Sequence, residues 1–357
     1  MRRLLQGMMF FVIMVLVAAC AAPAAPAPSA PASEAPAAEA PATDGVALRG
    51  MGKGADELMF GTVVKSSAFN WFIRMEEGVK QFAAETGINA FQQGPSVADA
   101  AQQIQVTEDV IAQGVDALLV VPHQVPPMEP VLKKAMDQGI VVVTHEASDV
   151  QNAHYDVEAF DNASYGRHIM DEMAACMGEE GEYAVFVGTL TSTTHNEWVD
   201  AAVAHQKEMY PKMAMVGSKN ESNDTTERAY EVTKELLKTY PNLKGIQGSA
   251  AGDVVGAGQA VEEAGLQDAI CVFGTSIPSY SGELMKTGAV DKSFAWDPAM
   301  AGKAMNAVAQ KMLAGEAIVD GMDLGVPGYE KIKIVGKVIY GNAWIDMTAE
   351  NMDQYPF

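Results

Sequence analysis

Between residues 58 and 296 short apolar runs recur at intervals long enough for one helix each, and this alternation constrains the fold more than anything else in the chain. Runs at 58–64, 117–121, 141–144, 183–187, 245–247 and 270–273 read as strands, being short, apolar and rich in β-branched residues. Amphipathic stretches at 75–86, 98–113, 128–138, 197–210, 225–240 and 254–264 read as the helices between them. A strand, a helix and another strand in succession make the strands parallel, because the chain must cross back before it can pair again, and helices then cover both faces of the sheet. The expectation is an α/β fold, and roughly 300 residues are enough for two lobes, each with its own core.

The chain opens differently. Arg2 and Arg3 precede an apolar run from Met8 to Ala19, too short to cross a bilayer comfortably, and Val17-Ala18-Ala19 places small residues directly before Cys20. This ending resembles a bacterial lipobox, so residues 1–19 are expected to be a cleaved signal and Cys20 the lipidated first residue of the mature protein. The following stretch to about Asp44 is almost entirely Ala and Pro, with nothing large to bury, and residues 20–55 are expected to form an extended tether between anchor and folded part. A formal net charge of −22 argues against nucleic-acid and anionic-membrane partners, which would repel the chain. Beyond Cys20 only Cys176 and Cys271 remain, able to pair only if the fold joins them. Cys271 lies in the apolar run Ala269-Ile270-Cys271-Val272-Phe273 and is expected to be a buried, unpaired thiol.

Parallel sheets gather their ligand loops at the C-terminal ends of the strands, so the residues just after each run are the candidates for a site. These include Lys65, Asn70, Trp71 and Phe72 after the first run, and His145 and Glu146 after the 141–144 run. Thr194, His195, Asn196 and Trp198 follow the 183–187 run. Ser249 and Ala251 follow 245–247, Ser276 follows 270–273, and Trp296 and Asp297 follow Phe294-Ala295. Aromatic faces beside directed donors and acceptors suit a polyhydroxylated ligand, whose C–H faces stack on rings while each hydroxyl both donates and accepts. A lysine directly behind a buried strand needs a partner or a cavity.

At these loops the chain resembles the type I periplasmic binding proteins, in the group that includes the ribose-binding protein and, more closely, the autoinducer-2 receptor. The likeness covers essentially 58–357 and rests on Lys65 with Trp71-Phe72, Gln113 to Ala117, Val143 to Glu146, Asn196 to Val199, Gly274 to Pro278, Phe294 to Asp297, and the tail from Glu350. It implies two lobes joined by three crossings, residues 58–160 with 297–324 and residues 161–296 with 325–357. It also implies a ligand held between them and an ABC permease in the membrane as partner, with the receptor a monomer. Lys65 and Ala251 match the autoinducer-2 receptor's lysine and alanine, whereas Glu146, Thr194, His195 and Ser249 replace its aspartate, aspartate, glutamine and proline. Against the ribose pattern, Trp71 and Phe72 stand for two stacking phenylalanines and Glu146 for an aspartate. Ala147 and Asn196 there replace arginines, Ser249 an asparagine, Ser276 an aspartate and Trp296 a glutamine. The scaffold is shared and the polar lining is this chain's own, so a pentose, a deoxyhexose, a small polyol or a related furanose is the implied ligand.

Other functions fit less well. The chain carries no G-x-S-x-G, H-E-x-x-H, phosphate-loop or dinucleotide fingerprint, so no enzyme and no cofactor is expected, and the histidines lack the spacing of a zinc site. A receptor feeding a sensor kinase or chemoreceptor reads the same in sequence as one feeding a transporter.

Overall fold

The computed structural model describes residues 46–357, so the expected signal, Cys20 and most of the expected tether lie outside the described residues. The first lobe is built from β1 (Met59–Val63), α1 (Asn70–Thr86), β2 (Asn89–Gln93), α2 (Ala100–Ala112), β3 (Ala117–Val120), α3 (Val125–Asp137), β4 (Val141–His145) and β5 (Tyr155–Glu158). The second follows with α4 (Asn162–Met177), β6 (Glu180–Val187), α5 (Thr193–Met209), β7 (Lys212–Met215), β8 (Asn220–Glu221), α6 (Thr226–Thr239), β9 (Leu243–Gly248), α7 (Ala251–Glu263), β10 (Cys271–Thr275), α8 (Pro278–Thr287) and β11 (Lys292–Ala295). The chain returns through α9 (Pro298–Leu313), β12 (Lys333–Val335), β13 (Val338–Tyr340) and β14 (Ile345–Met347).

The strand order is β12-β13-β5-β4-β3-β1-β2 in one sheet and β14-β11-β10-β9-β6-β7 in the other, with β8 against β6. All pairs are parallel except β12 with β13 and β11 with β14. Both sheets therefore run outward from one strand in two directions, and the reversal beside β1 and beside β6 opens a crevice at the strand ends. The pattern that announced the helices also ends them. Asp99 caps α2 by accepting from the Gln102 amide, Thr225 caps α6 through Arg228, and Gly87 closes α1 with φ 77°. Two close crossings demand glycine. A Cβ at Gly78 of α1 would collide with the Ala299 carbonyl of α9, and one at Gly166 of α4 with the Trp198 carbonyl of α5.

The three crossings between lobes fall at Phe160, at Trp296 and at Trp344. Their rings touch, Phe160 to Trp296 at 5.3 Å and Phe160 to Trp344 at 5.9 Å between centroids, so the hinge has an aromatic core. Two expectations are corrected here. Residues 325–357 do not all join the second lobe: β13 pairs with β5 of the first sheet, and only β14 and the tail beyond it reach the second. Cys271 is not an unpaired thiol. It forms a disulfide with Cys176, because α4 packs across β9 and β10 and sets its last turn beside the start of β10, at a Cα separation of 6.2 Å.

The disulfide joins positions 95 residues apart, all within the second lobe. Cys176→Ser or Cys271→Ser should lower stability by about 2–4 kcal/mol. Denaturant melts of each variant test this, and alkylation of the unfolded, unreduced parent should leave both cysteines unlabelled.

Candidate functional site

Lys65 lies two residues past β1 and Glu146 one past β4, so both side chains rise from the C-terminal edge of the first sheet. Lys65 Nζ donates to Glu146 Oε2 at 2.7 Å, and both side chains are only 7% exposed. Glu146 holds φ at 59°, a left-handed conformation that disfavours glutamate by roughly 1–2 kcal/mol and that turns its carboxylate toward the lysine. Burial by itself would favour the neutral amine at Lys65, but Glu146 and then Asp224 outweigh it and keep the ammonium charged. Burial likewise opposes charge on Glu146, and Lys65 reverses that and holds its carboxyl below the usual range.

The second lobe presents His195 from the first turn of α5, Asp224 from the loop after β8, Ser249 after β9 and Thr275 at the end of β10. Together with Lys65 and Glu146 they line a cavity of about 220 Å³, walled by Phe69, Trp71, Phe72 and Tyr280. That volume lies below the ~300–1,000 Å³ of drug-sized sites and suits a small ligand. His195 Nδ1 accepts the Gly188 amide at 3.1 Å, which leaves the ring proton on Nε2. Burial and the Lys65 charge push this imidazole down to about 4, so it is neutral at pH 7. Burial opposes the charge on Asp224 too, but Lys65 and a 3.1 Å contact with His123 Nδ1 hold it below the carboxylate range. Asp224 Oδ1 and Ser249 Oγ have no hydrogen-bond partner within the protein.

Of the residues singled out in sequence, Lys65, Trp71, Phe72, Glu146, His195, Ser249 and Ala251 line this cavity. The others lie outside it. Asn70 sits at a shallower surface pocket with Arg74 and Phe357, its amide bonded to the Tyr280 hydroxyl. His145 is buried behind the cavity and binds the Val157 carbonyl through Nδ1. Asn196 bridges the Thr189 and Ser192 carbonyls, and Ser276 donates to the Ala251 carbonyl. Trp198 gives its indole N–H to Asn162 at 2.8 Å in the core, while Trp296 stacks edge-on against Trp71 at 4.8 Å as backing for that wall. Asp297 caps α9 and takes both arms of Arg74, at 2.9 and 2.7 Å. Sequence reasoning missed Asp224, Phe69, Tyr280, Thr275 and the first turn of α6. β8 has only two residues and carries no readable strand pattern, although Asn223-Asp224-Thr225-Thr226 is a legible helix start.

Thr194 belongs to a separate layer behind the cavity, where its hydroxyl donates to Glu158 Oε1 across the lobes at 3.0 Å. Beside it Asp156 accepts from Thr144, and Glu197 accepts from Ser148 and Asn162. These partners are hydroxyls and an amide. Burial, with Asp156 and Glu197 close by, pushes the Glu158 carboxyl well above its usual range, and burial pushes Asp156 up to about 7.

Two parallel-sheet lobes whose strand ends close on one small, polar, ring-walled cavity define a solute-binding protein. The chain belongs to the periplasmic binding protein domain family, whose profile matches residues 60–317, and this membership implies an extracytoplasmic location. It is 27% identical over 222 residues to the D-ribose/D-allose-binding protein of Pseudomonas aeruginosa, covering 59% of this chain and 68% of that one. Among solved structures it resembles an ABC transporter solute-binding protein of Clostridium phytofermentas with bound L-rhamnose, at TM-score 0.76, 21% identity and coverage of 84% and 98%. It also resembles LsrB of Clostridium saccharobutylicum in complex with AI-2, at TM-score 0.78, 19% identity and coverage of 84% and 100%. The family and these relatives are binding proteins and not enzymes. Among the described residues no helix is long and apolar enough to cross a membrane.

Glu158 gives a signed pH prediction. A carboxyl whose folded pKa is raised contributes stability that is complete below its unfolded value of about 4.3 and is lost as pH rises through the folded value. Glu158→Gln, with the shape of the neutral acid, should melt like the parent at pH 4 and at a higher temperature than the parent at pH 8. Thermal melts across that range test it.

Proposed function

We propose that this protein captures a small, uncharged, polyhydroxylated ligand between its lobes and delivers it to an ABC permease, while held at the membrane through Cys20. The ligand class is a pentose, a deoxyhexose, a small polyol or a related furanose. One observation carries the reading: a cavity of about 220 Å³ combines four aromatic walls with an ion pair, a second carboxylate, a neutral imidazole and a serine hydroxyl. Rings cover the C–H faces of such a ligand, and the polar groups replace the water its hydroxyls lose. Lys65 spends one of its three N–H donors on Glu146, which leaves donors for ligand oxygens, and Glu146 and Asp224 supply acceptors. The similar proteins named for D-ribose, D-allose and L-rhamnose support the same chemistry.

Capture requires both lobes, since Lys65 and Glu146 stand on one and Asp224 and Ser249 on the other, so closure follows from the ligand's greater affinity for the closed arrangement. The lipobox-like Val17-Ala18-Ala19-Cys20 and the Ala/Pro tether support an anchored receptor that reaches a membrane partner.

A panel of D-ribose, D-allose, L-rhamnose, D-arabinose, D-fucose and xylitol, screened by thermal shift, should contain a ligand that raises the melting temperature. For that ligand, Glu146→Gln and Trp71→Ala should each weaken calorimetric affinity about tenfold to a hundredfold, in a chelator-containing buffer that leaves parent binding intact. Unchanged affinity in both folded variants would move the site elsewhere. In the native cell, mass spectrometry should find Cys20 as the acylated N-terminus, and an unmodified N-terminus at another residue would refute the anchor.

A further inference from the structure

The second lobe carries a group of potential metal ligands that takes no part in the cavity. His168 and Glu172 lie four residues apart on one face of α4, and Asp346 comes from β14, which runs antiparallel to β11. His168 Nε2 and one carboxylate oxygen from each acid lie within 4.8 Å of one another. Around a tetrahedral ion with bonds of about 2.0 Å such atoms would sit about 3.3 Å apart, so modest side-chain adjustment brings them to bonding distance.

We propose that His168, Glu172 and Asp346 bind one divalent transition-metal ion of the zinc class, with the Lys292 ammonium as the internal cation that the metal displaces. The imidazole is already aimed. It stacks on Trp344 at 5.0 Å and 10°, meets Phe294 edge-on at 5.4 Å, and holds Nε2 at 2.8 Å from Asp346 Oδ2. Lys292 marks the spot where positive charge is stabilised, with Nζ 2.7 Å from Glu172 and 3.6 Å from Asp346. Lysine is a flexible point charge on a long stem, so its head can leave for solvent without moving the strand. The ligand side chains are 26–35% exposed, which gives an ion and its remaining waters a way in. One imidazole with two carboxylates favours zinc and its neighbours over magnesium or calcium, which take oxygen alone.

The test uses the full chain stripped with chelator and titrated with ZnCl2 at pH 7.5. Calorimetry should show one saturable site per chain. His168→Ala should weaken it at least about tenfold and Glu172→Gln by a comparable factor. Lys292→Gln should tighten it by about tenfold, because the competing charge is gone. His205→Ala, at a surface histidine paired with Asp171, should leave it unchanged. Co2+ should quench the fluorescence of Trp344, and the quenching should vanish in Trp344→Phe. Absence of saturable Zn2+ binding, binding undiminished in a folded His168→Ala, or weaker binding in a folded Lys292→Gln would each overturn the proposal.

Discussion

The buried Lys65–Glu146 pair is the constraint on which the cavity depends. Each partner alone would be an uncompensated charge in the core, and breaking such a pair costs about 3–5 kcal/mol, so their two strands must be held in fixed relation. They are: β3 lies between β1 and β4 in an all-parallel part of the sheet, with helices on both faces. A left-handed glutamate is tolerated because the lysine defines where its carboxylate must be. Burial together with the Lys65 charge keeps His195 neutral, and Lys65 outweighs burial to keep Asp224 ionised. The cavity thus holds fixed donors and fixed acceptors at neutral pH.

The lobes meet through a polar layer and an aromatic one. Thr194 with Glu158, Ser148 with Glu197 and His123 with Asp224 are polar contacts between side chains of the two lobes. At the crossings the rings of Phe160, Trp296 and Trp344 stay packed on one another, so the connection itself is apolar. Polar contacts between the lobes and an aromatic hinge are compatible with the closure proposed above.

Much of the scaffold was legible because it is written in local periodicity. The apolar runs at 117–121 and 141–144 became β3 and β4, and the stretches at 98–113 and 225–240 became α2 and α6 within a few residues of their caps. The rule that ligand loops follow parallel strands then located Lys65, Glu146 and Ser249. It failed where a side chain after a strand turns away from the crevice. Asp297 is consumed by capping α9 and pairing with Arg74, and Asn196 by its own loop carbonyls. Position after a strand is a local property, whereas the direction of a side chain depends on which neighbour satisfies it.

By itself the sequence determined the α/β class, the parallel strands, the approximate places of several helices and the presence of a lysine that needed a partner or a cavity. Each of these follows from interactions among residues near one another in the chain. Tertiary structure alone decided the partnership of Cys176 with Cys271, the return of β12 and β13 to the first sheet, the entry of Asp224 into the cavity, and the approach of Glu197 to Glu158. These join residues far apart in the chain, such as Val338 with Asp156. No periodicity records such meetings, because they are set by how helices cross sheets and how two lobes face one another.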